Sequence, residues 1–211
     1  QRRVRAFDFR DHVDAVHPRQ RGGAGQRDLA GEVERFQLAL LATLGSTLAA
    51  LDVSDPAEPR RLGPGLEVSG RVNALACTDG LVVLALGRLG VSVVEVGDGA
   101  VLVPRGSLVT TGAAVGVALE GDLAFVADDE AGLLVVDLTD RDRPTVVGRS
   151  PSRRTTLAVA ARRGIAYVAE SDTWEQIVRV VDVGDPAVPS ELAMTDLPGL
   201  GTRMAASYRP P

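Results

Sequence analysis

The sequence contains no lysine, one cysteine and one tryptophan, and aromatic residues make up only 3% of its 211 residues. A single cysteine excludes an internal disulfide and a thiolate metal cluster. Because aromatic side chains are so few, a core has to be built from Val, Leu and Ala. All 23 basic residues are arginine, and the net charge of −5 argues against nucleic acid as a partner.

Motifs for catalysis or cofactor binding are also missing. The chain has no Gly-x-Ser-x-Gly turn, no phosphate-binding loop and no zinc signature. We therefore expect neither a cofactor nor a bound metal, and no catalytic residue can be assigned. One apolar stretch, "RFQLALLATLGSTLAALDV" at residues 35–53, approaches the length of a membrane span. Polar residues interrupt it, so we expect no membrane span in this segment.

A repeat of about 43 residues runs through the chain. Aliphatic runs end at an acidic residue, and the spacings between successive acidic residues are 44, 43, 42 and 45. We call these five residues the anchors: Asp8, Asp52, Glu95, Asp137 and Asp182. An alanine ends a second apolar run ten residues before each of the middle three anchors, which supports the same period independently.

Each repeat unit reads as four short strands. In the unit of Asp137 the segments "AAVGVAL", "LAFVA", "LLVVDL" and "TVVGRS" are separated by turns rich in Gly, Asp and Pro. The third strand is aliphatic on both faces, which predicts burial between two sheets. The small residues of the first strand predict a crowded inner position. Four-stranded units of this period predict an all-β propeller.

The sequence resembles a particular propeller repeat. The segments "LAALDVSDPAEP", "GLLVVDLTD" and "VRVVDVGDPAVP" are similar to the LVIVD repeat of bacterial and archaeal proteins, most of which have no assigned function. The resemblance covers essentially the whole chain, although the "VRAFDF" unit is degenerate and the Glu95 unit lacks its Asp-Pro. It implies a propeller fold and a surface-associated or extracytoplasmic location, and it brings no catalytic residue.

We expect residues 1–211 to form a single propeller, or a fragment of one. Four complete blades are predicted near residues 28–195, with partial blades at both termini. The terminal segments "VRAFDF" and "RMAASY" read as a third strand and a first strand. We therefore expect part of a larger ring, or an open arc whose unpaired strand edges favour self-association.

Asp-Pro pairs mark the corner between the third and fourth strands, at Asp55 and Asp185. An aspartate oxygen at this position can accept the backbone N–H two residues on, while proline fixes φ at the next residue. Because the corner recurs in several units, we interpret it as part of the scaffold.

The loops between the second and third strands differ from unit to unit: "TLGS", "LGRLG", "DDEAG" and "ESDTWEQ". Variable loops on a constant scaffold are how one fold supports many specificities. We therefore predict a binding surface at this end. Its candidate residues are Arg88, Asp128, Asp129, Glu130, Asp172, Trp174 and Glu175. In the alternative interpretation, Trp174 covers the flank of its own blade.

Two functions remain open at this point. The first is a non-catalytic binding or scaffolding propeller whose partner is an unknown protein or surface ligand. The second is a propeller-type hydrolase or lyase with its site on the central axis. The first strands "VNALAC", "AVGVAL" and "TLAVAA" are almost free of carboxylates, histidine and tyrosine. That composition favours binding over catalysis.

Overall fold

The computed structural model describes residues 38–42, 46–55, 57–78, 80–172 and 175–196. Within these ranges the chain is all-β, with fifteen strands in four antiparallel sheets, as predicted. One turn of 3-10 helix, Asp98–Ala100, interrupts the strands, and these ranges contain no α-helix. None of the residues described forms a helix long and apolar enough to cross a membrane.

Strand order follows the sequence in every sheet. The first sheet consists of β1 (Leu38–Ala42), β2 (Thr47–Asp52) and β3 (Arg60–Glu67). The second consists of β4 (Ala74–Thr78), β5 (Leu81–Ala85), β6 (Val91–Val96) and β7 (Leu102–Leu108). The third consists of β8 (Gly116–Glu120), β9 (Leu123–Ala127), β10 (Leu133–Asp137) and β11 (Thr145–Ser150). The fourth consists of β12 (Thr155–Arg162), β13 (Ile165–Ser171), β14 (Gln176–Asp182) and β15 (Ser190–Asp196).

The last three sheets therefore have the predicted four strands. The predicted first strand of the first unit falls before residue 38, and the two terminal segments, "VRAFDF" and "RMAASY", also lie outside the described residues. The apolar stretch 35–53 contributes β1 and β2, so its described part is strand, as the repeat requires.

The sheets pack face to face through their middle strands. In β5, Val82 and Leu84 belong to a cluster with Leu48 of the first sheet, whereas Val83 lies in a cluster with Val126 of the third. Successive side chains of a strand point to opposite faces, so an aliphatic run serves two interfaces at once. The predicted burial of the third strand on both faces is confirmed for β10, whose Leu134 and Val136 lie in one core cluster while Leu133 and Val135 lie in another.

The first strand of each four-stranded sheet is the innermost. Strand β8 contacts both β4 and β12, the first strands of the neighbouring sheets. A Cβ added at Gly116 in β8 would lie 3.3 Å from the Ala127 Cβ and 3.3 Å from the Ala158 Cα. Small residues in the first strand therefore allow three sheets to approach closely, as predicted.

Two aspartates shape each Asp-Pro corner. Asp55 Oδ1 accepts the backbone N–H of Ala57 at 2.9 Å, and Asp185 Oδ1 accepts that of Ala187 at 3.0 Å. The anchors of these two corners do the same three residues earlier: Asp52 Oδ1 accepts the Ser54 N–H at 2.9 Å, and Asp182 Oδ1 accepts the Gly184 N–H at 2.8 Å. The hydrogen bond from the Ser54 backbone holds the pKa of Asp52 below its ordinary value. The hydrogen bonding inferred for the corners is confirmed.

We expect Asp55→Ala and Asp185→Ala each to lower the free energy of unfolding by about 0.5–2 kcal/mol, as loss of a helix-capping side chain does. Urea denaturation measures this change. The matched control is the asparagine variant, whose side-chain oxygen can still accept the backbone N–H and should keep most of the stability. Full stability of the alanine variants would contradict the scaffold interpretation.

Each corner of the third and fourth sheets packs against a glycine on the outer strand of the preceding sheet. A Cβ at Gly106 would lie 2.5 Å from the Asp142 carbonyl oxygen, and a Cβ at Gly148 would overlap the Pro186 carbonyl oxygen. We call Gly106 and Gly148 the contact glycines. Both stand eleven residues after their anchor, and the residue at that place in the fourth sheet is Ala193.

Candidate functional site

The variable loops of the second, third and fourth sheets lie at one end of the structure, opposite the corners. Backbone hydrogen bonds place them there: Gly87 pairs with Ala114, just before β8, and the Thr156 N–H donates to the Asp129 oxygen at 2.9 Å. The loops of the second and third sheets thus adjoin the start of the next sheet's first strand. We call the three loops, residues 86–90, 128–132 and 171–176, the loop rim.

The fourth sheet contributes the tip of the β13–β14 hairpin. The Asp172 N–H donates to the Glu175 carbonyl oxygen at 3.0 Å, and the Glu175 N–H donates to Asp172 Oδ1 at 2.9 Å. These bonds close the hairpin just below its tip, so only two residues, Thr173 and Trp174, connect Asp172 to Glu175. Trp174 itself lies outside the described residues.

Arg154 holds both acidic residues of this hairpin. Its Nε donates to Asp172 Oδ2 at 3.0 Å and its Nη2 donates to Glu175 Oε2 at 3.0 Å. The three side chains are partly exposed, so each ion pair adds little stability on its own. One guanidinium bridging two carboxylates nevertheless fixes the direction in which the hairpin points.

The third sheet contributes three acidic residues whose environments differ. Asp128 is fully buried, and its carboxylate accepts the Thr110 hydroxyl at 2.5 Å and the Gly112 N–H at 2.8 Å. It links the third sheet to the connection before it and is not available to a partner. Asp129 is half-buried with a φ of 48°, and Glu130 is exposed. Of this predicted group, Glu130 is the residue best placed for contact.

The second sheet contributes Arg88 and its neighbour Leu89, both exposed. The hairpin is closed by the Leu86 N–H donating to the Gly90 oxygen at 2.8 Å. Leu89 is 48% exposed, an apolar side chain at a loop tip that the sequence did not single out. With Glu130, Asp172 and Glu175, these residues make the rim a mixed surface of charges around an apolar group.

A buried ion pair lies beneath the fourth-sheet part of the rim. Arg179 Nε donates to Glu170 Oε1 at 2.8 Å, and Arg179 Nη1 donates to the Ser150 hydroxyl at 2.5 Å. Arg179 and Glu170 are 4% and 3% exposed, and Ser150 belongs to the neighbouring sheet. Sequence reasoning missed this pair, although Arg179 stands where the preceding repeat has Leu134.

A second charged cluster lies at the corner end. Glu95, the anchor whose unit lacks an Asp-Pro, accepts hydrogen bonds from Arg105 Nε at 2.7 Å and from Arg141 Nη1 at 3.0 Å. The hydrogen bond from Arg105 holds the pKa of Glu95 below its ordinary value. Arg141 belongs to the next sheet's corner, so this cluster joins the second and third sheets.

The arrangement offers no metal centre within the described ranges: they contain no group of three or more His, Cys, Asp or Glu side chains that could hold a metal ion. Among the charged rim residues, Asp172 and Glu175 pair with Arg154, and Asp128 bonds to Thr110 and Gly112.

Comparison with known families identifies the unit from which the fold is built. The family model described as the LVIVD repeat matches residues 111–150. The match spans the third sheet and the short connection before it, so one repeat corresponds to one four-stranded sheet. The resemblance noted in the sequence is confirmed there, and the chain is a β-propeller-like repeat module. No curated protein matches the chain.

Proposed function

We propose that this LVIVD-repeat module is a non-catalytic binding or scaffolding propeller that contacts a protein or surface ligand through the loop rim. The observation that carries the proposal is the contrast between the two ends. At the corner end the hydrogen-bonding pattern recurs from unit to unit, whereas every loop of the rim has its own length or composition. Selection for a scaffold alone gives no reason for that contrast.

Trp174 is the proposed centre of the contact. Arg154 and the two hydrogen bonds between Asp172 and Glu175 hold these acidic residues on either side of the two-residue segment that contains Trp174. A large aromatic group flanked by charges has the make-up of an interface hot spot, in which water is excluded around one anchor. Asp172 and Glu175 are held in place before binding, so these two residues lose little conformational entropy when a partner binds.

The strands nearest the central axis give weaker support to the alternative function, that of a hydrolase or lyase. The described inner strands β4, β8 and β12 carry mostly Ala, Val and Leu. Glu120, at the end of β8, has both carboxylate oxygens engaged by backbone N–H groups of Arg163 and Gly164 in the next sheet. Its geometry is that of a residue that joins sheets.

The proposal includes a location, which is inferred from the family resemblance. We propose that the protein acts outside the cytoplasm or at the cell surface. Fractionation of the producing cells tests the location, because a protein recovered with the cytoplasmic fraction alone would contradict it.

We expect Trp174→Ala to weaken a complex with the partner about thirtyfold, equivalent to about 2 kcal/mol, because truncating a hot-spot aromatic typically costs at least that much. Binding of the isolated partner to the immobilised chain gives the affinity, and thermal unfolding gives the stability. The matched control is Val101→Ala, since Val101 is 59% exposed but lies at the corner end. The control should bind as the unaltered chain does.

The opposite pattern would contradict the proposal that Trp174 is the centre of the contact. If Trp174→Ala kept full affinity and lost stability, Trp174 would be a packing residue on the flank of its blade. If Val101→Ala lost affinity and Trp174→Ala did not, the partner would bind the corner end.

A further inference from the structure

Two neighbouring loops of the rim carry exposed charges of opposite sign. Arg88 lies in the loop of the second sheet and Glu130 in the loop of the third, and both side chains are exposed. Within the described ranges neither of them takes part in an ion pair. In the fourth-sheet loop, by contrast, Asp172 and Glu175 are both paired with Arg154. Arg88 and Glu130 are therefore available to a second molecule.

An exposed valine lies between these two loops. Val109 belongs to the connection from β7 to β8, and its side chain is 73% exposed. On one side this connection packs against the second-sheet loop, since a Cβ at Gly90 would lie 2.8 Å from the Val109 Cα. On the other side Asp128 of the third-sheet loop holds it, accepting the Thr110 hydroxyl and the Gly112 N–H. The order across this part of the rim is therefore positive, apolar, negative.

A surface with this order is complementary to itself. Consider a two-fold axis that lies in the interface, passes through Val109 and runs perpendicular to the line from Arg88 to Glu130. This axis places the Arg88 of each copy opposite the Glu130 of the other, and it brings the two Val109 side chains together, where they leave water. An axis along the line between the two charges would instead place Arg88 opposite Arg88, which is repulsive.

We propose that two copies of this chain associate rim to rim through Arg88, Val109 and Glu130. The contact consists of one apolar pair and two exposed charge pairs, which is small compared with a stable dimer interface. The dimer is therefore weak and dissociates on dilution. The inference goes beyond the proposed function, whose partner contact is centred on Trp174 of the fourth sheet. Because the chain forms the dimer without a partner, failure of the dimer and failure of partner binding appear in separate measurements.

Sedimentation velocity of the full chain tests the dimer. At low salt we expect the weight-average sedimentation coefficient to rise from the monomer to the dimer value between about 1 µM and about 1 mM, the range of weak protein association. In about 1 M sodium chloride, where charges are screened beyond about 3 Å, the rise should move to higher protein concentration. A chain that stays monomeric up to about 1 mM at low salt would overturn the proposal.

Charge reversal tests the arrangement of the contact. Arg88→Glu and Glu130→Arg should each weaken self-association at least about tenfold, because like charges then face each other twice in the dimer. An equimolar mixture of the two variants should associate about as strongly as the unaltered chain. In the mixed dimer the introduced glutamate of one variant faces the introduced arginine of the other, and the remaining Arg88 faces the remaining Glu130. A dye on one variant makes the mixed dimer visible in the sedimentation profile.

Val109→Glu tests the centre of the contact and should abolish dimerisation, because two carboxylates would meet on the axis. Its matched control is Val188→Glu, the same substitution at a 68% exposed valine of the corner end, which should leave dimerisation unchanged. Equal melting temperatures show that each variant is folded. If the single charge variants dimerise as the unaltered chain does, or if their mixture stays monomeric, the proposed contact is wrong. Dimerisation that survives Val109→Glu but not Val188→Glu would place the contact at the corner end.

Discussion

Replacing Arg179 with leucine is expected to lower the free energy of unfolding by about 3–5 kcal/mol, the usual cost of removing one partner from a buried ion pair. Glu170 would remain 3% exposed, without the guanidinium whose Nε now lies 2.8 Å from its Oε1. The Ser150 hydroxyl would also lose the donor that ties it to the fourth sheet. Urea denaturation measures the loss as a lower midpoint.

The matched variant removes both charges. The second unit has Leu86 at the place of Glu170, and the third unit has Leu134 at the place of Arg179, so the scaffold accepts leucine at each position separately. We expect Glu170→Leu combined with Arg179→Leu to be close to the unaltered chain in stability, or above it, because no unpaired charge is left buried. A double variant as unstable as Arg179→Leu alone would show that the pair fits this interface in a way that leucine cannot.

The second large effect is expected from Gly148→Ala, which should destabilise the chain by about 3 kcal/mol, the upper part of the range for overpacking. The added methyl group would overlap the Pro186 carbonyl oxygen, a backbone atom that cannot rotate away. The third and fourth sheets would have to separate at their corner end. Thermal unfolding of the two proteins under the same conditions gives the difference.

Gly97→Ala is the control for this substitution. A Cβ at Gly97 would meet the Val101 carbonyl oxygen at 3.6 Å, an ordinary contact, so the change adds a methyl group without overlap. We expect its stability to stay within about 1 kcal/mol of the unaltered chain. If Gly148→Ala were equally mild, the corner would not depend on the close approach seen at the contact glycines.

The architecture could be predicted because the same sequence pattern occurs in several repeat units. The same pattern of four strands occurs in each unit, so each unit supports the prediction independently. The Asp-Pro corners depend on local contacts, because Asp55 and Asp185 accept hydrogen bonds from the backbone two residues on. Periodicity and short-range turn chemistry are what a single sequence carries most directly.

Contacts between sheets could not be predicted in the same way. Asp128 was chosen for its place in a loop, but its partners Thr110 and Gly112 come from the preceding connection, and they bury it. Arg154 and Arg179 were missed although their carboxylate partners lie in the same sheet, 9 to 21 residues away, because these pairs depend on the register of its strands. A signal did exist: both are charged residues at places where the preceding repeat has Gly112 and Leu134. The prediction for Trp174 is untested, because that residue lies outside the described ranges.

The contact glycines limit which repeat unit can follow which along the chain. A unit with glycine at this place can be followed by one with a proline corner, and a unit with alanine there cannot be followed in the same way. Deletion of the third unit should therefore leave a chain that folds. The corner of the fourth sheet would then pack against Gly106, in place of the corner of the third sheet. Inserting a copy of the third unit behind the fourth should fail unless Ala193 is changed to glycine as well. Gene duplication in such proteins is then constrained at a single atom, the Cβ of one residue per unit.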